Sequence, residues 1–580
     1  MRRAVWLTFA VTINAIIATV SPAQTNSWID PSDGEWEKAH HWDDGSPSVS
    51  QSAVIISNAN SKVVTIDAHT ARNFPNTLTI SNLILSAQSG VTNTLFLDNT
   101  GTIALHILND FTIGIVLNDL FDVGGSELIS SNSTLIADGL LGGELENDGT
   151  MVILGGSLIT TNCSLQVGVS VFDCCESTAV LILSNAVVQA RDVTIGSGDS
   201  SSGAIKVFGG TMTLSSYLTV GGGVEESQGS LLVANGALLV VTNADTFIGG
   251  DFYSGGAMTV SNATFLAADV GLGGDIGSGE LTINNGTVTL SGELDLAVGD
   301  RFVGIVTLNG GMLIVTNNEI NMGAFPGGGN ITVLDGTFLG QTISLFEGNL
   351  SIQGGTSSLS SNLVLYFGGG FYISGGQLFV TNAPITIESS RASIISGGLL
   401  AARTIELDAF AGGMLVDGGS VTVSEGITLG DCNDYFDAGY VSVDGGQLIV
   451  TNAAGTGFID VRNGELTLGG GTLRVDKLVM TNTCGSLVHT GGTLIVGSVI
   501  LDPNVFRIVS ITPQGNDMLV TWMMGPGATN TLQAACGATS GFADIFIVTN
   551  NMTAGTLTNY LDVGAATNVP SRFYRARLSP

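Results

Sequence analysis

Gly445-Gly446-Gln447-Leu448-Ile449-Val450-Thr451-Asn452 is the stretch whose reading decides the fold. Close copies stand at Gly310-Gly311-Met312-Leu313-Ile314-Val315-Thr316-Asn317 and at Gly375-Gly376-Gln377-Leu378-Phe379-Val380-Thr381-Asn382. Looser copies begin at Gly155-Gly156, Asn235-Gly236 and Gly255-Gly256. In a strand, successive side chains point to opposite faces, so Leu448 and Val450 share one face while Gln447, Ile449 and Thr451 share the other. Leu313/Val315 and Leu378/Val380 repeat the inward pair. Gly-Gly supplies a corner with positive φ. Asn243, Asn317, Asn382 and Asn452 close the strand, because asparagine tolerates left-handed angles and bonds its own backbone. Stacked asparagine amides can also pair from layer to layer.

The corners recur. Gly-Gly marks at residues 354, 375, 397 and 418 are 21 or 22 apart, and wider steps lead to 445, 470 and 491. Earlier marks, from 209 to 335, are 20 to 30 apart. Between them lie short alternating runs such as Leu78-Thr79-Ile80, Leu95-Phe96-Leu97, Leu281-Thr282-Ile283 and Val421-Thr422-Val423, the period-2 signal of strands. No stretch of ten or more residues carries helical periodicity with caps. A repeat of this size predicts a solenoid. Residues 53–504 at ~21 residues per coil give about 20 coils, and a ~4.8 Å rise makes a rod of about 95 Å.

Composition narrows the function. The chain has 580 residues, 81 of them glycine and 11 proline, with 44% hydrophobic and only 11% charged residues. It is too apolar for disorder. Its net charge is −32, from 49 acids against 17 bases, so there is no basic stripe for nucleic acid. Anionic membranes and acidic polysaccharides are repelled as well, unless cations bridge them. The charge is that of a soluble extracellular protein or of a Ca²⁺ binder. Arg2 and Arg3, an apolar run from Ala4 to Val20, and Ser21-Pro22-Ala23 make residues 1–23 a secretory signal with cleavage expected after Ala23. No later segment is apolar for long enough to form a membrane helix. Six cysteines are too few for a disulfide scaffold, and their spacing fits no zinc motif. Cys163 either bridges to Cys174 or Cys175 or is a small buried residue.

Three segments break the pattern. Residues 24–52 hold Trp28, Trp36 and Trp42 among Asp30, Asp33, His40, His41, Asp43 and Asp44. Large aromatics suit the terminal cap a solenoid needs, and the alternative is a platform on which sugars stack. Asp431-Cys432-Asn433-Asp434-Tyr435-Phe436-Asp437 is dense in oxygen ligands of the kind Ca²⁺ prefers, with Asp431, Asn433, Asp434 and Asp437 as the candidates. It fits no EF-hand spacing, and the other reading is an ordinary insertion loop. Residues 505–580 carry short strands, Trp522 and a cluster of Arg572, Arg575 and Arg577, which suggests a small β-sandwich. Those arginines face either an acidic surface or solvent.

Gly491-Gly492-Thr493-Leu494-Ile495-Val496 and Gly470-Gly471-Thr472-Leu473-Arg474-Val475 resemble the autotransporter-associated β-strand repeats of large bacterial secreted and surface proteins. The opening, with Gly34-Glu35-Trp36 and His41-Trp42-Asp43-Asp44-Gly45-Ser46-Pro47, is similar to the segment preceding such repeats in planctomycete- and verrucomicrobium-like bacteria. The ending Phe573-Tyr574-Arg575-Ala576-Arg577-Leu578, with Leu519-Val520-Thr521-Trp522, is similar to their fibronectin-III-like C-terminal modules. The resemblance implies an all-β protein, a right-handed parallel β-helix followed by the small sandwich.

The residue sets of the β-helix pectin hydrolases and lyases are not assembled. Asp43-Asp44 stands without its companions, and Lys206 and Lys477 are isolated. His69, His106 and His489 read as structural residues in strands. The sequence therefore predicts no catalytic residues and no cofactor, with Ca²⁺ as the open exception. It predicts a secreted or surface-bound bacterial scaffold that is adhesin-like or faces carbohydrate, its partner a polysaccharide or a cell surface. The alternative is a polysaccharide-degrading β-helix enzyme, lyase or glycoside hydrolase.

Overall fold

A computed structural model describes residues 24–579 apart from 89, 115–124, 140–144, 148, 170–177, 198–199, 223–225, 251–252, 275–276, 298–302, 324–326, 409–411, 433–437, 482–483, 502–505, 526–528, 538–540, 550–555 and 568–570. The leader at 1–23, Cys174, Cys175, Asn433, Asp434 and Asp437 thus lie outside the described residues.

Residues 25–501 form one continuous sheet in which the strands of neighbouring coils pair in parallel. This is a parallel β-solenoid of about 17 turns. Each coil has three faces. In one coil, Ser278–Asn284 makes the first face, Thr287–Leu290 the second and Leu294–Leu296 the third. Leu281 and Ile283, Val288 and Leu290, and Leu294 and Leu296 all point inward and are buried. The next coil stacks like on like, with Leu281 against Val306, Val288 against Leu313 and Leu294 against Ile320. The interior is three sets of aliphatic ladders, and burying one such leucine or valine stabilises by roughly 1.5–3 kcal/mol.

The octapeptide is one second-face strand with its corner. Gln447–Val450 pairs with residues 420–423 on one side and 472–475 on the other. Leu448 and Val450 are fully buried, as are Leu313, Val315, Leu378 and Val380. The glycine pair is the corner between first and second faces. Gly311 has φ +77°, and a Cβ there would sit 2.0 Å from the Gly286 carbonyl oxygen of the coil beneath. That carbonyl accepts the Met312 N–H at 2.8 Å, which locks the corner to its neighbour. In the copy at 445–446 only the second glycine, Gly446, is left-handed, at φ +57°.

Two expectations change in detail. The asparagines that turn left-handed are not those closing the strand. They stand at the preceding corner, where Asn132, Asn185, Asn235, Asn262 and Asn285 have φ between +45° and +58°. Layer-to-layer amide pairing occurs there too, from Asn309 Nδ2 to Asn284 Oδ1 at 3.2 Å and from Asn132 Nδ2 to Asn99 Oδ1 at 3.3 Å. Asn452 instead organises the loop after it, its side-chain oxygen accepting from the Ala454 and Thr456 N–H groups. The coils are also longer than 21 residues over much of the rod. Thr92 stacks on Gly125, a step of 33, whereas Ile343 stacks on Leu363, a step of 20. The extra residues enter at the corners, so the coil count falls. About 17 turns at ~4.8 Å give a length near 80 Å.

At the N-terminal end, Thr25–Ser27 pairs with Ala53–Ile56 and Gly34–Glu35 with Lys62–Asp67, so the tryptophan segment is hydrogen-bonded into the first coil. A short helix, Ala68–Asn73, follows, begun by the Asp67 carboxylate accepting from His69 and Thr70 N–H groups; His69 is therefore helical and not in a strand. After the solenoid, residues 508–579 form two three-stranded antiparallel sheets. They share a small core of Val520, Trp522, Met524 and Leu532.

The corner geometry predicts an asymmetry between two glycines of similar φ. Gly236 is left-handed at φ +78°, but a Cβ there would meet nothing within 4 Å. Gly236→Ala should cost about 1 kcal/mol, the strain of a left-handed side chain alone. Gly311→Ala must also push the stacked coil away and should cost about 3 kcal/mol or more. Thermal denaturation of the two variants side by side checks this, and equal losses would mean that steric stacking at the corner is unimportant.

Candidate functional site

The tryptophan segment is the first of the sequence-derived candidates. Trp28, Trp36 and Trp42 are all buried. Trp42 meets each of the others edge-on, at 5.0 and 5.1 Å between centroids. Each indole N–H donates to a backbone carbonyl, of Asp30, Thr77 and Trp36 respectively. A stacking platform needs an exposed ring face, and these rings have none to offer. They pack as part of the solenoid core with Val54 and Ile56. The sugar-binding reading of the three tryptophans is corrected on that ground. His41 stacks on Trp28 at 4.8 Å and its Nδ1 lies 2.7 Å from Asp30 Oδ2.

Of the calcium candidates, Asp431 is described and Asn433, Asp434 and Asp437 are not. The neighbouring Cys432 forms a disulfide with Cys484, a pairing the sequence did not suggest. It links two corner loops that lie two turns apart, with the short corner at Arg462 and Asn463 between them, where Asn463 Nδ2 donates to the Asp431 carbonyl. Cys163 is buried and its thiol donates to the Ala137 carbonyl. Among the described residues, no group of three or more His, Cys, Asp or Glu is placed to hold a metal ion. His106 pairs with Asp138 at 2.5 Å. In the C-terminal sheets Arg572 pairs with Asp562, Arg577 with Asp544, and Arg575 lies over the Phe542 ring, so these arginines are engaged within their own module.

The site that sequence reading missed lies on the third face. Its middle, outward position reads Thr219, Phe247, Gly271, Asp295 and Asn321 on successive coils. Gly271 leaves a gap in this outward ladder, and the Phe247 ring leans over it: a Cβ on Gly271 would touch the ring at 3.4 Å. The result is a groove of about 520 Å³ with Gly249, Gly250, Gly271 and Gly273 in its floor. Phe247 is 47% exposed in it.

Acidic side chains rim the groove. The residue just before each third-face strand is Asp192, Tyr217, Asp245, Asp269 and Glu293 in turn. Asp192 begins this edge as a compensated charge. Burial pushes its carboxyl up, but Arg191 and the hydroxyls of Ser164 and Tyr217 outweigh that and hold it below the usual range. Within the groove no base follows. Asp245, Asp269, Glu293 and Asp295 line the groove, and none of them makes an ion pair among the described residues. Asp269 Oδ1 accepts the Glu293 N–H at 2.5 Å, and Asp295 Oδ1 accepts from Asn321 Nδ2 at 2.8 Å. The arrangement offers one exposed aromatic ring, a flat backbone floor and several carboxylate acceptors. Its signal in the sequence was weak, because Phe247, Gly271 and Asp295 become neighbours only once coils of unequal length are put in register.

Comparison with known proteins gives one distant relative. Over 297 residues, 47% of this chain, the sequence is 24% identical to Outer membrane protein A of Rickettsia rickettsii. The match spans only 13% of that protein's length. No family model matches the chain, and no solved structure matches it. No helix among the described residues is long and apolar enough to cross a membrane.

The cap carries a pH prediction. Donation from the Ser32 hydroxyl and N–H, with help from His41, holds the Asp30 carboxyl at about 2, below the usual carboxylate range. A depressed carboxylate stabilises the fold above its unfolded pKa, and the contribution is lost as pH falls through the folded value. Acid titration of a Trp522→Phe variant should therefore show the tryptophan emission of the cap shifting to the red between about pH 4 and 2. An Asp30→Asn variant should already be loosened at neutral pH and lack that transition. A transition unchanged by the substitution would show that Asp30 does not hold the cap.

Proposed function

We propose that this protein is a non-catalytic scaffold of the bacterial cell surface or extracellular matrix, whose third face binds polysaccharide. The observation that carries the reading is the groove around Phe247. An apolar ring suits the flat face of a sugar, while Asp245, Asp269, Glu293 and Asp295 accept hydrogen bonds from hydroxyls. Four carboxylates without a base, on a chain of net charge −32, repel uronates and sulfated sugars. The ligand is then a neutral or amino-sugar polymer. The surface location is supported by the distant likeness to an outer membrane protein and by a disulfide, which persists in oxidising compartments. The bacterial group and the fibronectin-III-like nature of the C-terminal module belong to the same proposal, on the strength of the sequence resemblance.

The groove also supports a second reading. Glycoside hydrolysis needs two carboxylates flanking the scissile bond, and Asp269, Glu293 and Asp295 share this groove. A lyase base is missing from the lining, since no Lys or Arg contributes to it.

One experiment separates these readings. The purified protein is incubated with cellulose, xylan, mannan, chitosan and pectate, and both retention and released reducing ends are measured. The scaffold reading predicts retention on one or more of the neutral or amino-sugar polymers, none on pectate, and no released ends. Phe247→Ala should weaken retention about tenfold, the equivalent of ~1.4 kcal/mol. Released ends that vanish in Glu293→Gln or Asp269→Asn would establish the hydrolase instead. Retention on no polymer, or on pectate alone, would contradict the proposal.

A further inference from the structure

Phe367 stands just beyond the trailing edge of the third face, in a strand, with φ +46° and 65% of its surface exposed. A bulky residue in the left-handed region is a genuine outlier, and such strain persists only where the surroundings over-determine it. Here they do. The Phe367 carbonyl accepts from the Ser390 N–H at 2.6 Å, the Ser389 hydroxyl at 2.7 Å and the Ser390 hydroxyl at 3.0 Å. Three donors from the next coil thus hold an unfavourable backbone that keeps a phenyl ring in water. Glycine at this position would remove both costs. Beside it, Phe346 and Tyr366 stack at 4.8 Å and 19°, forming a half-buried wall on the same face. Arg391, which makes no ion pair among the described residues, lies over Gly370 of the same strand as Phe367.

The position relative to the groove adds the second link. From Phe247 the third face climbs through Gly271, Asp295, Asn321 and Ser344 to Val364, three residues before Phe367. Five coils at ~4.8 Å separate the two rings by roughly 24 Å along the rod. Tyr253, 68% exposed with φ +62°, stands beyond the same trailing edge in the coil of Phe247. A protein partner would want a broad apolar patch at its centre. Isolated rings amid serines, an arginine and carboxylates, spaced along one straight face, suit a linear chain of sugar units better.

We propose that Phe367, backed by the Phe346–Tyr366 stack, is a second sugar contact, so that one linear polysaccharide lies along the third face from the Phe247 groove to this ring. The inference rests on the polysaccharide reading of that face and deepens it: the ligand is a long chain, not an oligosaccharide or a chain end.

The test compares wild type, Phe367→Ala and Phe367→Gly on the best-retained of the neutral polymers named above and on a tetrasaccharide cut from it, which is too short to reach both rings. Both variants should lose about tenfold in affinity for the polymer and bind the tetrasaccharide as wild type does. Phe367→Gly should melt at the wild-type temperature or above it, because the left-handed backbone no longer carries a side chain. That result separates lost contact from damaged fold. Undiminished polymer affinity in both variants, with wild type binding normally, would overturn the second contact and leave the groove standing. Equal losses for polymer and tetrasaccharide would also overturn it, since Phe367 would then act through the groove. Failure of wild type to bind any neutral polymer would sink the groove reading and this one together.

Discussion

The corner between the first and second faces is the constraint on which the rest depends. At Gly311 the backbone of one coil passes so close to Gly286 of the coil beneath that a methyl group has no room, while the Met312 N–H donates to that same carbonyl. The left-handed turn and the close approach are a single requirement, and only glycine meets both. At Asn285 and Asn235 asparagine takes the left-handed turn instead. Once every corner stacks on the corner below, the strands on both sides are forced into parallel register. Leu448, Val421 and Leu473 then fall into one ladder. Hydrophobic burial supplies the driving force, but the corners decide which residues are buried together.

This division leaves the outward positions free to carry function. Inward rungs vary little in character, whereas the third-face outward ladder runs through Thr219, Phe247, Gly271, Asp295 and Asn321 within five coils. A site on such a rod is a local departure in a regular surface: a missing side chain at Gly271, a ring where its neighbours are small, a run of carboxylates without bases. The scarcity of charge makes these departures more pointed, because only 11% of the chain's residues are charged.

The octapeptide announced the fold legibly. Its alternation, its Gly-Gly corner and its spacing yielded the strand, the inward pair Leu448/Val450 and the solenoid. The tryptophans read as a cap from their position ahead of the repeats, and the structure adds only that the indoles are buried and the segment pairs with the first coil, which leaves no ring face for a sugar platform. The coil length was not fully legible, because insertions at corners stretch the step to 33 residues near the N-terminus while leaving no mark on the strands themselves. Nor was the Cys432–Cys484 bridge, whose partners are 52 residues apart in sequence and meet only because the corner between them is short. The groove was hidden for the same reason. Phe247 and Gly271 are unremarkable residues in two separate runs, and their significance is a matter of register, which local sequence patterns do not contain. The strain at Phe367 is less visible still, since it depends on three donors from Ser389 and Ser390 one coil away.

The central claim is that one lateral face of a rigid, repetitive rod is the binding surface and that the other two are structural. Amide hydrogen exchange of the whole protein, with and without the polymer it retains, tests this most directly. The account predicts new protection concentrated in Thr246–Ile248, Val270–Leu272, Leu294–Leu296 and Leu363–Ile373, together with the corners that follow them. The second-face strands, among them Gln447–Val450, should exchange as before. Protection centred on the first or second face, or confined to the tryptophan cap, would contradict it.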